Sequence, residues 1–280
     1  TRSDYDFTLG LENQFLGTPN TFQQGMEFFE KGTLSEAILA LEAEVQANPR
    51  NSDAWRFLGR AHAFNDNDRR AITALKKAVE SDPENIEALM ELGICCTNEI
   101  AQKDAIKALR SWLKIHPEFC ALPDQFPVSQ ILIEELDNVV QMFLGAAKIQ
   151  PNDPDVFAVL GVLYTVASDY EKAELSFREA VRLNPSDYSM WNKLGATIAN
   201  AAATTERQKE AVQCYRKALE MKPNYVRVWV NLGISYVSLK KHDLACKYYL
   251  KALSFTPNAE HIWGYLKMAI LALNRAELAP

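Results

Sequence analysis

Four asparagines stand where asparagine is locally unfavourable. Asn98, Asn192, Asn200 and Asn231 all fall inside segments whose apolar spacing reads as helix, and asparagine is a poor helix former. A primary amide donates and accepts at once. A row of amides can therefore pair with both N–H and C=O of an extended peptide, whatever its side chains. Arg227 adds a cation suited to a carboxylate. Amides plus one cation suit the last residues of a chain, including its free C-terminus. Other chemistry is not spelled out. His62, His116, His242 and His261 are scattered, and none stands at metal-ligand spacing with another ligand. No G-x-S-x-G, G-x-G-x-x-G or P-loop occurs. Carboxylate pairs such as Glu134–Glu135 read as solvated helix faces. The expectation is a binding protein, not an enzyme, with no cofactor and no metal.

Composition narrows the partner. The 280 residues carry Lys+Arg 30 against Asp+Glu 36, a net charge of −6, and 48% are hydrophobic. No net positive field exists to neutralise phosphates, so nucleic acid is not the expected partner. The apolar fraction is that of a folded chain. The longest apolar run, Phe157 to Tyr164, is far short of the roughly 20 residues a membrane span needs. Cys95, Cys96, Cys120, Cys214 and Cys246 show no C-x-x-C pair. They read as reduced, mostly buried thiols of a cytosolic protein. The chain has no basic-then-apolar leader and no starting Met, and is expected to be a fragment of a longer protein.

The elements that hold the asparagines come from a repeat. Prolines fall at Pro49, Pro83, Pro117, Pro151, Pro185, Pro223 and Pro257, at intervals of 34, 34, 34, 34, 38 and 34. Gly25, Gly59, Gly93, Gly161, Gly195 and Gly233 keep the same clock, as do Ala37, Ala71, Ala105, Ala173, Ala211 and Ala245. A 34-residue period with W-x-x-L-G early, Ala in the middle and Pro late is the tetratricopeptide (TPR) signature. Each unit is expected to be a helical hairpin. Small residues at repeat positions 8, 20 and 27 let helices A and B approach, and Pro at position 32 ends helix B. One hairpin cannot bury its apolar face alone, so neighbours stack.

The expected fold is all-α: a TPR superhelical solenoid of seven hairpins with a C-terminal capping helix. Residues 1–17 read as a weakly ordered extension, 18–119 as repeats one to three, and 154–259 as repeats five to seven. Residues 120–153 form a degenerate fourth repeat, a hinge. Its first half carries Pro123 and Pro127 at positions 4 and 8, and a proline inside a helix costs about 3 kcal/mol. Its second half, Ile131 to Ile149, reads as one long helix. The four extra residues of repeat six read as a surface loop over 201–210, and 260–280 as the final helix.

Helix geometry then selects a face. At about 100° per residue, positions 2, 5, 6, 9, 12 and 13 of helix A share one arc. The packing positions 4, 7, 8 and 11 lie opposite. The first set is therefore expected to line the groove. It comprises Ile94, Thr97 and Asn98 in repeat three and Thr165 in repeat five. Repeat six supplies Asn192, Lys193, Ala196, Ala199 and Asn200; repeat seven supplies Arg227, Asn231, Ile234 and Ser238. Ala196 and Ala199, with Ile94 and Ile234, leave room for a modest apolar side chain.

The segments Thr97-Asn98-Glu99, Trp191 to Asn200 and Arg227 to Ser235 closely resemble the cargo-binding half of the peroxisomal targeting signal type 1 receptors. The resemblance covers about residues 20–280. It implies a receptor for a C-terminal tripeptide of the Ser-Lys-Leu type, an address that is read rather than an anchor. By that resemblance Asn98, Asn192 and Asn231 hold the peptide backbone and carboxylate, with Arg227 assisting. Asn200 meets backbone further upstream. Thr97, Lys193 and Ala196 border the pocket for the last side chain, and Glu99 favours a basic penultimate residue. Ser238 and Thr165 depart from the family, where asparagines are common. The implied location is the cytoplasm, cycling to a peroxisomal or glycosomal membrane. Docking proteins there would be met through a family N-terminal half not present here; no tryptophan here has an aromatic residue four positions on. Two other readings compete. A chaperone-linked adaptor wants Lys at position 5 and Asn at position 9 of its first repeat. Phe22 and Met26 stand there, and Arg56 and Arg60 in repeat two. A plain scaffold would present an apolar groove.

Overall fold

The computed structural model describes residues 5–7, 13–99 and 101–276. Fourteen α-helices and one 3-10 turn occur among them, and no strand. The chain divides into two compact units, Thr1–Asn152 and Asp153–Pro280. Unit 1 holds α1 (Thr21–Lys31), α2 (Leu34–Ala47), α3 (Ser52–Phe64), α4 (Asp68–Ser81), α5 (Ile86–Asn98), α6 (Gln102–Ile115) and α7 (Leu132–Ile149). Unit 2 holds α8 (Pro154–Val166), α9 (Tyr170–Leu183), α10 (Tyr188–Ala201), α11 (Thr205–Met221), α12 (Val226–Ser238), α13 (His242–Phe255) and α14 (Glu260–Ala276). Consecutive helices pack as hairpins within each unit. This is the tetratricopeptide-repeat architecture, in the expected register.

Two local devices set that register. The first is the approach of helix A to helix B at repeat position 8. A Cβ added to Gly25, Gly59 or Gly93 would stand 2.5–2.6 Å from Leu41, Leu75 or Leu109. In unit 2 the same contact is made by rings. A Cβ on Gly161, Gly195 or Gly233 would stand 2.2–2.7 Å from Phe177, Tyr215 or Tyr249. The second device joins Trp at position 4 to the proline six residues earlier. The indole N–H of Trp55 donates to the Pro49 carbonyl at 2.9 Å, and Trp191 to Pro185 at 2.9 Å. Trp229 donates to Pro223 at 2.8 Å and Trp263 to Pro257 at 2.7 Å. A carbonyl left open at a helix end is thus satisfied by the next helix, which fixes that helix's rotation about its own axis. Side-chain caps begin most A helices: Asn51, Asn85, Asp153 and Asp187 accept from the first turn.

The fourth repeat lacks its helix A. Only a 3-10 turn, Pro123–Gln125, forms before α7. Arg110 of α6 takes the helix's place. Its guanidinium donates to Glu135 Oε1 at 2.7 Å, to the Pro123 carbonyl at 3.2 Å and to the Phe126 carbonyl. The Ser129 N–H donates to the other oxygen of Glu135 at 2.8 Å.

Two expectations need correction. The insertion of repeat six is not a loop over 201–210. α11 starts at Thr205 and runs for 17 residues, so the extra residues lengthen helix B. Thr204 accepts from the Arg207 N–H and caps it, and the segment Glu206 to Ala211 has no residue that opposes helix. The extension before repeat one is not loose where it is described. Tyr5 is 2% exposed and Phe15 8%, because Phe15 packs on Ala40 and Ala43 and Tyr5 is seated against Trp55 and His62. Residues 1–4, 8–12, 100 and 277–280 lie outside the described residues.

Candidate functional site

In unit 2 the A helices α10 and α12 lie side by side. Trp191 at position 4 turns toward Pro185, which carries the next residue, Asn192, onto the neighbouring A helix. Asn192 is 5% exposed and half-buried Asn231 covers it. The Asn231 Nδ2–H donates to Asn192 Oδ1 at 2.9 Å. Each amide offers two N–H donors and one oxygen. The pair spends one donor and one acceptor, and Asn231 Oδ1 and Asn192 Nδ2 remain to offer. Lys193 and Arg227 are half-buried on the same faces. The groove-face positions of α10 and α12 carry those two cations and no carboxylate. Ala196 and Ala199 are half-buried, Asn200 and Ser238 exposed, and Ile234 is 43% exposed. Ser238 Oγ donates to the Ile234 carbonyl at 3.3 Å and Thr165 Oγ1 to the Gly161 carbonyl at 2.8 Å. Both hydroxyls are turned back onto their own helices.

In unit 1 the expected residues sit at the end of α5. Thr97 Oγ1 donates to the Ile94 carbonyl at 2.7 Å, and both residues are half-buried. Asn98 is exposed, and its Nδ2–H donates to Asp68 Oδ1 at 3.2 Å. Glu99 pairs with Arg69 at 3.1 Å, across a guanidinium that is 88% exposed. A second cluster, between α3 and α5, was only half visible in the sequence. Arg56 and Arg60 both reach Glu91 Oε1, at 3.5 and 3.4 Å. The Arg56 guanidinium also lies 4.6 Å from the Phe57 ring centre. Burial pushes the Glu91 carboxyl up to about 7, against the pull of the two guanidinium groups.

One contact rule links these sites. Position 5 of one repeat meets position 6 of the next. Phe22 meets Phe57, with ring centres 5.7 Å apart. Arg56 meets Glu91, and Asn192 meets Asn231. Sequence reasoning placed position 5 on the open face. In the fold it is pressed against the next A helix, and Asn192 is buried for that reason. Matching residue types at positions 5 and 6 of successive repeats is the signal that finds such pairs.

The remaining chemistry is quiet. No group of three or more His, Cys, Asp or Glu able to hold a metal occurs among the described residues. Cys95, Cys96 and Cys214 are buried, Cys120 is exposed and Cys246 half-buried. Burial pushes the Cys96 and Cys214 thiols up to about 11, away from thiolate reactivity. Among the described residues no helix is long and apolar enough to cross a membrane.

The stacked hairpins define a tetratricopeptide-repeat protein. Models of the tetratricopeptide repeat match residues 22–68, 52–95, 154–187 and 226–259, and a TPR repeat model matches 203–240. Among relatives, the Peroxisomal targeting signal 1 receptor of Dictyostelium discoideum is 42% identical over 204 residues, covering 70% of this chain and 31% of that protein. The Peroxisomal targeting signal receptor of Candida albicans is 36% identical over 250 residues, 84% of this chain and 41% of that one. The PEX5-related protein of Rattus norvegicus is 33% identical over 216 residues, 73% and 36%. The chain belongs to the peroxisomal targeting signal receptor family, and its match is to the TPR region. It spans about a third to two fifths of the length of these relatives. The first two are receptors by name, in keeping with a non-enzymatic chain.

Proposed function

We propose that the chain is the cargo-reading part of a peroxisomal import receptor, and that α10 and α12 bind the C-terminal tripeptide of Ser-Lys-Leu type. The observation that carries the reading is the Asn192–Asn231 amide pair, 2.9 Å long, on helix faces whose charged groups are Lys193 and Arg227. Asn192 acts from beneath. Its oxygen accepts from Asn231 and holds that amide with its own oxygen outward, where a peptide N–H can donate to it. Arg227 and Lys193 supply positive charge for the terminal carboxylate, which is ionised above about pH 4. Ala196 and Ile234 bound the space for the last apolar side chain, and Asn200 and Ser238 lie where upstream backbone would pass. In unit 1 the same reading gives Ile94, Thr97, Asn98 and Glu99 a part in cargo recognition. Glu99 attracts a basic side chain once it is released from Arg69. The place of action is the cytoplasm and the peroxisomal surface, where docking proteins receive the loaded receptor.

The test is fluorescence anisotropy with a labelled peptide ending in Ser-Lys-Leu and its C-terminal amide as control. Saturable binding at micromolar concentration or below, lost on amidation, is expected. Equal binding of acid and amide would mean that the terminal carboxylate is not what is read. No binding by folded protein would leave a repeat scaffold with another partner.

A further inference from the structure

A second built site lies on unit 1, away from the groove positions. Trp55 and His62 occupy repeat positions 4 and 11 of α3, opposite the arc of positions 5, 6 and 9. Between them and α2 sits the ring of Tyr5, 2% exposed. Its hydroxyl donates to Glu42 Oε1 at 2.9 Å and lies 2.6 Å from His62 Nε2. Glu42 and His62 are themselves 1% and 2% exposed. Burial holds the His62 imidazole down near 3, so the ring is neutral. With the Tyr5 O–H donating to Glu42, the contact with His62 requires the Nε2–H tautomer, which donates to the phenol oxygen. The phenol thus gives one hydrogen bond and receives one. The ring is edge-on to Trp55, centre to centre 5.5 Å, and to Phe7, 5.0 Å. Arg70 of α4 lies 5.9 Å from the ring centre and donates to the Asp6 carbonyl at 2.9 Å. The socket therefore reads three things: an aromatic ring, its hydroxyl, and the next backbone carbonyl. Asp6 is exposed and Phe7 half-buried. Within residues 5–7, then, burial is concentrated in one side chain.

We propose that the Glu42–Trp55–His62–Arg70 socket is a recognition site for a tyrosine on an extended Tyr-x-Phe segment, filled in cis by Tyr5–Phe7 and exchangeable for such a segment in trans. Selectivity follows from burial. A phenylalanine in the socket removes the hydroxyl that meets Glu42 and His62, and with it two buried hydrogen bonds, which is costly. A phosphotyrosine sets a dianion against the Glu42 carboxylate. The cis segment competes at high effective concentration, so the unaltered chain hides the site.

The test is made on the full chain carrying both Tyr5→Ala and Phe7→Ala, its helicity checked by circular dichroism. A labelled peptide with the sequence of residues 1–12 is titrated by anisotropy. The double variant is expected to bind at least tenfold more tightly than the unaltered chain. The peptide with Phe for Tyr should bind at least fivefold more weakly, the phosphotyrosine peptide should not bind, and an unlabelled Ser-Lys-Leu peptide should not compete. A folded variant that fails to bind, or binds the Tyr and Phe peptides equally, overturns the proposal. Should the double variant lose helicity, amide exchange of residues 5–7 in the unaltered chain decides. Acceleration by excess peptide supports exchange, and no acceleration makes the segment a fixed part of unit 1.

Discussion

The two units share a scaffold and differ in what they place at equivalent contacts. Where helix A meets helix B, unit 1 sets a leucine against each glycine and unit 2 sets a ring. Where position 5 meets position 6 of the next repeat, unit 1 has an aromatic pair, Phe22–Phe57, and an ion pair, Arg56–Glu91. Unit 2 has the amide pair Asn192–Asn231. The geometry of a contact is set by the repeat, and its chemistry by two residue choices. An ion pair consumes its own charges. An amide pair keeps a donor and an acceptor for a third party. Under the proposed reading that difference favours α10 and α12 as the peptide-binding surface, although unit 1 carries more charge at positions 2, 5, 6, 9, 12 and 13 of its A helices.

The largest test of the comparison lies in the packing. Gly233→Ala would set a Cβ 2.2 Å from the Tyr249 ring, itself 2% exposed. The expected loss is about 3 kcal/mol, the upper part of the range for overpacking. Gly25→Ala meets the branch carbon of the Leu41 side chain, Cγ, at 2.6 Å and its Cδ2 at 2.9 Å. A branched chain can turn aside, so the expected loss is about 1–2 kcal/mol. Urea unfolding of both variants decides, and equal losses would erase the distinction between leucine and ring.

The next test is acid. His62, held near 3, is neutral in the fold while the unfolded residue takes a proton below about 6.5. Its contribution is fully present above pH 6.5 and is lost as the pH falls toward 3. Glu91, raised to about 7, has the opposite sign: the fold holds the proton more tightly, so stability rises as pH falls from 7 toward 4.5. In unit 1 the two slopes oppose each other. Glu91→Gln removes one slope. The variant is then expected to lose about 2 kcal/mol between pH 6.5 and 4.5 beyond any loss of the unaltered chain. His62→Gln should shift the slope the other way. In unit 2 the buried Cys214 and Tyr249 are raised to about 11 and 12, outside that window. Urea midpoints across the pH series give the slopes.

Asn231→Ala should weaken Ser-Lys-Leu binding by about 1–3 kcal/mol, or roughly 5- to 150-fold, with the fold intact. Asn192→Ala should cost a similar amount. The double variant should cost less than the sum, because the two amides act as one unit. Additive losses would separate them and undo the pairing. Smallest of all, Arg69→Ala removes a surface ion pair worth under about 1 kcal/mol. Binding of a peptide with a penultimate Lys should strengthen less than about fivefold, and the gain should fade in high salt. A large effect would show that Arg69 does more than screen Glu99.

Much of this was legible in the residues. The clock of prolines, glycines and alanines placed the hairpins, and the prolines at 123 and 127 announced the missing helix. The asparagines stood out because helices disfavour them. What stayed hidden has physical causes. The burial of Asn192 depends on how one A helix leans on the next, which a single-helix projection does not contain. The four extra residues of repeat six are ordinary helix formers, and only the end of α10 decides whether they coil or loop. The seat of Tyr5 draws on Glu42, Trp55, His62 and Arg70 from three helices, with no spacing rule among them. The partnership of Arg56 with Glu91 needed the rule joining positions 5 and 6, which the hairpins reveal only when stacked.

Arg110 carries a consequence of another kind. In a stack where each layer touches only its neighbours, cooperativity travels layer by layer, and a weak junction is where it stops. Between α6 and α7 the junction is made by the Trp112 ring stacked on Phe143, centres 5.5 Å apart, and by one guanidinium that ties α6 to Glu135 and to the Pro123 and Phe126 carbonyls. Arg110→Met would keep the bulk and remove the bonds. The Trp112–Phe143 stack would stay, so α7 is expected to open at lower urea than the rest of unit 1 while remaining docked in water, and the guanidinium sets how closely the two transitions coincide.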